Sequence, residues 1–169
     1  NGEPTAHPQF AGIIDDTIRL RNAYCPEAKV SVLSNATMAM RPEVHKALER
    51  VDNNILKLDT VSQEYINKVN NPTYDVREII ETIRSFNGHA IVQTMFMRGT
   101  IDGQDVDNTG EEYVAPWLET IKYIAPRQVM IYTIDRETPD HDLKKASPET
   151  LNTIRDRVMA MGIPCSAAY

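Results

Sequence analysis

Short apolar runs alternate along this chain with apolar stripes of helical period, and that alternation predicts an α/β fold on a parallel sheet. Two further observations support it. Cap and stop residues fall between the runs, where helices need them. Polar residues gather at the ends of the runs, as expected where βα loops converge on a ligand.

Each element has its own signal. Phe10, Ile13, Ile14, Thr17, Ile18 and Arg21 recur on one face and predict the first helix. The first strand follows at residues 29–34, Lys29-Val30-Ser31-Val32-Leu33-Ser34. Val44, Ala47, Leu48 and Val51 form the second helical stripe, with Pro42 just before it. Residues 55–59 read as the second strand, and Pro72 precedes a third helix marked by Val76, Ile79, Ile80 and Ile83. Gly88 falls where that helix stops in a left-handed turn. Residues 89–97 form the third strand. Thr109 and Glu112 make a capping box for a fourth helix carrying Tyr113, Val114, Trp117, Leu118 and Ile121. Residues 128–134 form the fourth strand. Ser147 caps, and Pro148 opens, a fifth helix with Leu151, Ile154, Val158 and Met161; Gly162 stops it. A last strand begins near residues 162–169. Regular alternation implies right-handed crossovers. No linker or repeat divides the chain, so residues 1–169 are expected to form a single domain.

Composition removes several classes. A net charge of -6 and a pI near 5.2 lack the basic footprint of a nucleic-acid surface. No run is apolar and long enough to span a membrane. Cys25 and Cys165 make neither a disulfide framework nor a close-spaced metal cluster, and both read as structural. His7, His45, His89 and His141 are scattered, so no metal site is assigned. A reducing, cytoplasmic setting is the default for such cysteine usage.

Three places carry candidate chemistry. The first is the opening Asn1-Gly2-Glu3-Pro4-Thr5, which joins a flexible residue, a carboxylate and a rigid bend. Such a turn at a strand's end holds an ammonium group; the plain alternative is a loop with a solvated Glu. The second is the set of strand ends: Ser34-Asn35-Ala36-Thr37, Asp59-Thr60, Arg98-Gly99 with Asp102, Asp105 and Asp107, and Thr133-Ile134-Asp135-Arg136-Glu137. The third is Lys57 and Asp59, which interrupt the apolar run Ile55-Leu56-Lys57-Leu58-Asp59. Two apart, they share one face while Leu56 and Leu58 take the other. Buried charge is costly unless paired or solvated in a cavity, so this face reads as ligand-bearing.

The strings Asn1-Gly2-Glu3-Pro4-Thr5 with His7-Pro8, Leu33-Ser34-Asn35-Ala36-Thr37, Leu56-Lys57-Leu58-Asp59-Thr60 and Gln93-Thr94-Met95-Phe96-Met97-Arg98-Gly99 together resemble the radical S-adenosylmethionine enzymes. Pro126 to Val129 and Asp135-Arg136-Glu137-Thr138-Pro139 are similar to one branch, the iron–sulfur oxidoreductases related to wybutosine-synthesis and pyruvate formate-lyase activating enzymes. The resemblance implies a partial parallel (βα) barrel: about four βα units of a six-stranded barrel, with the first two strands missing. It implies that Gly2, Glu3 and Pro4 bind the methionyl amino group of S-adenosylmethionine. Ser34 and Asn35 would meet its carboxylate or ribose, and Lys57 and Asp59 the ribose region. Asn1 departs from the family's usual Gly.

The family's Cys-x3-Cys-x2-Cys loop, which holds a [4Fe–4S] cluster, is absent, and Cys25 and Cys165 do not replace it. The chain therefore reads as the C-terminal part of a longer enzyme that reductively cleaves S-adenosylmethionine to a 5′-deoxyadenosyl radical, the cluster belonging to the parent protein. Alone, this part is expected to be inactive. Its first strand is expected to have an open edge that favours self-association. The substrate, a protein or a small molecule, is not readable, although residues 61–74 form a long connection suited to a lid.

Rival readings stand beside this one. Lys57 is a candidate Schiff-base nucleophile of a lyase or aldolase, with Asp59 as acid–base partner. A non-catalytic ligand-binding α/β domain is another. The Asp102, Asp105 and Asp107 loop lacks the spacing of a calcium loop. Met95 and Met97 read as core filler more readily than as a cofactor pocket.

Overall fold

The computed structural model describes residues 2–70, 74–135 and 142–169. A 3-10 turn at Pro4–Ala6 leads into α1 (Phe10–Tyr24), β1 (Ser31–Ser34), α2 (Pro42–Leu48) and β2 (Asn53–Lys57). Then come α3 (Gln63–Asn70), α4 (Val76–Arg84), β3 (Ala90–Met95) and a hairpin of β4 (Met97–Ile101) and β5 (Gln104–Asp105). The rest is α5 (Glu111–Ile124), β6 (Gln128–Tyr132), β7 (Leu143–Lys145), α6 (Pro148–Ala160) and β8 (Cys165–Ala168).

Five strands form one sheet in the order β1-β2-β3-β6-β8, every pair parallel. The order advances in one direction, so right-handed crossovers set the helices on one side. Val32, Leu56, Val92, Val129 and Ile131 point to that side and are buried with Leu48, Ile83, Trp117, Ile121 and Leu151. Each such side chain contributes about 1.5–3 kcal/mol on burial. The other face stays open. Lys57, Gln93, Met130 and Ser166 are successive partners across it, and Met95, Tyr132 and Ala168 form the next row. This is the partial parallel βα barrel that the sequence predicts, with the expected last strand present as β8.

Several local expectations change. The run 89–97 is not one strand. Phe96 is buried and donates its N–H to Tyr132, while Met97 starts β4 and leaves the sheet. β4 pairs antiparallel with β5 and β7 in a small sheet ordered β5-β4-β7. Gly99 makes that packing feasible: its φ is +109°, and a Cβ there would run into the Asp142 carbonyl. The first and fourth predicted strands are shorter than their apolar runs, and the second keeps its length but lies two residues earlier, so Asp59 falls just past the end of β2.

The Thr109–Glu112 capping box does not form. Gly110 is the N-cap of α5, because Asp107 takes both the N–H and the hydroxyl of Thr109. Pro42 is the first residue of α2 rather than its predecessor, which suits its missing N–H. Pro72, Asn1, His141 and residues 136–139 lie outside the described residues. Ser147 caps α6 through the Thr150 N–H, and Gly88 has the expected positive φ. Trp117 is packing, as expected: it is buried, edge-on to Phe96, and donates to the Thr94 hydroxyl.

Candidate functional site

The C-terminal ends of β1 and β2 build the site. At the first, the Glu3 carboxylate is held by the chain itself. Its Oε1 accepts from the Thr5 N–H at 3.0 Å, from the Thr5 hydroxyl, and from Ser34 Oγ at 2.7 Å; Oε2 accepts from the Asn35 N–H at 2.8 Å. Burial works to raise the Glu3 carboxyl. The bonds from Asn35, Thr5 and Ser34 outweigh it and hold the group below the ordinary glutamate value of 4.5. Ser34 is buried, and its Oγ also accepts from the Ala36 N–H. Gly2 and Pro4 are exposed on the turn that Glu3 fastens.

Asn35 connects this latch to a cavity. Its Oδ1 accepts from the Thr37 N–H and hydroxyl, an Asx turn that leaves the amide nitrogen free to donate. Asn35 and Thr37 line a cavity of about 730 Å³, together with Lys57, Asp59, Tyr74 and Met95. That volume suits a nucleotide-sized ligand. The far wall comes from α3 and the start of α4.

Lys57 and Asp59 meet on the open face, with Nζ 3.2 Å from Oδ2. Asp59 Oδ1 accepts from the Met95 N–H at 2.8 Å, which fixes the carboxylate beside β3. Both side chains keep roughly a third of their surface exposed, at 32% and 28%. Burial works to lower the Lys57 ammonium, but Asp59 and the Tyr132 hydroxyl outweigh it and hold it above the ordinary lysine value of 10.5. Lys57 is therefore a persistent cation, with N–H groups to spare for a ligand.

The cavity has a fastened roof. Tyr65 of α3 donates to the Val106 carbonyl at 2.8 Å and packs with Met97 and Val106 over the strand ends. Gln63 accepts from the Val76 N–H and donates to the Tyr74 carbonyl, tying α3 to α4. Asn108, buried, accepts from the Met97 N–H and donates to the carbonyls of Met95 and Asp59. These contacts anchor the β4–β5 hairpin to the site.

The structure thus brings Asn35, Lys57 and Asp59 to one cavity and sets Glu3 and Ser34 behind it, outside its lining. Met95 and Met97 line it as well, where the sequence favours plain core. Cys25 is exposed at the end of α1 rather than structural, and Cys165 is half-buried on β8. Tyr132, Tyr74 and Asn108 have no sequence signal as site residues. Of these, only Tyr132 was open to inference, since it shares a face with Met130 two residues earlier. Among the described residues no three His, Cys, Asp or Glu side chains group as metal ligands.

The fold is a partial βα barrel with a cavity at its strand ends. Solved structures that share this fold include radical S-adenosylmethionine enzymes, as the sequence resemblance implied. A domain of pyruvate-formate lyase-activating enzyme from Bacteroides vulgatus superposes with a TM-score of 0.71 at 15% identity, over 100% of this chain and 96% of that one. SuiB from Streptococcus suis, bound to S-adenosylmethionine, gives 0.73 at 11% identity over 100% of this chain and 38% of its own. A radical SAM methyltransferase from Sphaerobacter thermophilus gives 0.58 at 16% identity over 82% and 40%. Such identities show the fold alone. No family model matches the chain. A UPF0026 protein of Helicobacter pylori strain J99 is 26% identical over 156 residues, which cover 89% of this chain and 47% of that protein. Its counterpart in strain 26695 is 25% identical over the same 156-residue length. The chain spans about half the length of these curated relatives. Among the described residues no helix is long and apolar enough to cross a membrane.

Proposed function

We propose that this chain is the C-terminal part of a radical S-adenosylmethionine iron–sulfur enzyme and that its strand-end cavity binds S-adenosylmethionine. The observation that carries the reading is the Lys57–Asp59 pair. It is aligned on one face, only partly exposed, and set in the wall of a cavity large enough for a nucleoside. Lys57 and Asp59 meet the ribose hydroxyls, since a fixed carboxylate accepts from a diol and the ammonium donates to it. Asn35 donates its free amide to the methionyl carboxylate or the ribose. The exposed Gly2–Glu3–Pro4 turn borders the amino end. Glu3 and Ser34 act as positioning residues that fix the turn against Asn35. When bound beside a reducing cluster, S-adenosylmethionine supplies a 5′-deoxyadenosyl radical.

The [4Fe–4S] cluster of that family does not fit the residues present. Cys25 and Cys165 sit on separate elements, and burial pushes the Cys165 thiol up to about 11. The role assigned to this chain is to bind and orient S-adenosylmethionine, and alone it performs no radical cleavage. The parent's substrate, a protein or a small molecule, meets the same open face. Parallel sheets end poorly in water, so the free edge of β1 is a pairing surface for another strand or a second copy.

The Schiff-base reading requires a neutral Lys57 amine. The surroundings work in the opposite direction and keep it charged.

Calorimetric titration with S-adenosylmethionine, using S-adenosylhomocysteine as control, tests the proposal. Saturable heat lost in Asp59→Ala supports it. A full-affinity Asp59→Ala protein, or trapping of a small ketone on Lys57 by borohydride, would reject it.

A further inference from the structure

A second cavity, of about 510 Å³, opens on the same sheet face on the far side of Tyr132. Gln93, Met130, Tyr132, Asp135 and Ser166 line it. The register explains the arrangement: Lys57, Gln93, Met130 and Ser166 stand side by side across β2, β3, β6 and β8. Lys57 belongs to the first cavity and touches Tyr132 of the second, so the two are neighbours.

The lining is chemically selective. Among the described residues it contains no Lys, Arg or His. Its one charge, Asp135, is 84% exposed and lies 3.7 Å from Lys145, at the rim. Among the described residues no cationic side chain lines the cavity to pair with an anionic ligand. A cationic ligand finds only a carboxylate that is already solvated and partnered. Gln93 is half-buried, and its side-chain amide makes no hydrogen bond among the described residues, although its main chain is used in the sheet. A primary amide offers a donor and an acceptor in one plane. Its natural complement is another amide, which satisfies both at once. Ser166, exposed on the next strand but one, adds a hydroxyl of either sense. Met130 and the Tyr132 ring give a flat apolar wall for what the amide is attached to.

We propose that this cavity binds an uncharged amide, held by Gln93 and Ser166, as the substrate side of the site. Its role as substrate side rests on the S-adenosylmethionine reading; the amide selectivity does not.

The test is amide-proton NMR titration of this chain with three matched probes and one alternative. The probes are N-acetyl-alanine-methylamide (neutral), N-acetyl-alanine (anionic) and alanine-methylamide (cationic); the alternative is adenosine. The expected result is saturable shifts centred on Gln93 and Ser166 with the neutral diamide, at least about tenfold weaker with either charged probe. Gln93→Leu weakens the diamide about tenfold, and Ser166→Ala, an exposed change with little effect on folding, weakens it less. Equal response to the charged probes, stronger response to adenosine at the same residues, or no saturable shift overturns the proposal. Calorimetric binding of S-adenosylmethionine is measured on the same samples. Its loss with the diamide response intact rejects the cofactor reading and leaves the amide site standing.

Discussion

Two carboxylates sit at neighbouring strand ends in opposite surroundings. Glu3 receives four donors from its own chain and lies behind the cavity wall. Asp59 has one backbone donor and one ammonium partner, and both it and that partner face the cavity. A carboxylate saturated by the fold shapes a site; one left with open lone pairs serves it. Side-chain type does not distinguish the two. The difference lies in which donors the fold delivers.

The comparison is broken most forcefully at Glu3. Glu3→Ala strands the Ser34 hydroxyl and the Asn35 N–H, and the expected destabilisation is about 1–3 kcal/mol by urea unfolding. Asp59→Ala is expected to cost clearly less than Glu3→Ala in the same assay. Equal losses would show that both are latches.

Ligand affinity should reverse the ranking. Lys57→Met is expected to weaken S-adenosylmethionine by about tenfold or more, the scale of a lost charge-assisted hydrogen bond, with little change in the urea midpoint. Calorimetry and unfolding on the same preparation check both halves.

Acid sharpens the contrast further. The folded Glu3 carboxyl lies below its ordinary value of 4.5, so its contribution is fully present above about pH 4.5 and is lost as pH falls through the folded value. The urea midpoint of the native protein should therefore fall more steeply below about pH 4.5 than that of Glu3→Gln, and the two curves should converge in strong acid.

A third polar group marks the lower limit of the scale. Asn54 is fully buried on the helix side of β2, and neither its amide nitrogen nor its oxygen has a partner among the described residues. It is neither latch nor ligand contact. Asn54→Leu is expected to raise stability by about 1 kcal/mol, read from thermal unfolding.

The parallel sheet was legible because each strand and helix carries its own period, and neighbouring strands are consecutive or nearly so. Lys57 and Asp59 were legible because charge interrupts an apolar run. What escaped is non-local. β4 finds β7 more than 40 residues away, and the break at Phe96 that releases it looks like ordinary strand sequence. Gly99 was visible as a residue but not as the point where Asp142 crosses. The sequence predicts a connection where α3 forms. That helix is only 8 residues long, and Tyr65, Ile66 and Val69 make a stripe too brief to outweigh its polar neighbours. Glu3 was found as a motif, yet its donors Ser34 and Asn35 lie 31 and 32 residues on, so its saturation was invisible.

The most direct measurement is calorimetric titration of S-adenosylmethionine into the native protein, Glu3→Gln and Asp59→Asn, side by side. The account predicts saturable binding that Asp59→Asn weakens about tenfold or more and Glu3→Gln weakens by less than about threefold. Binding that survives in Asp59→Asn but disappears in Glu3→Gln would contradict it, placing the ligand on the carboxylate assigned to the fold.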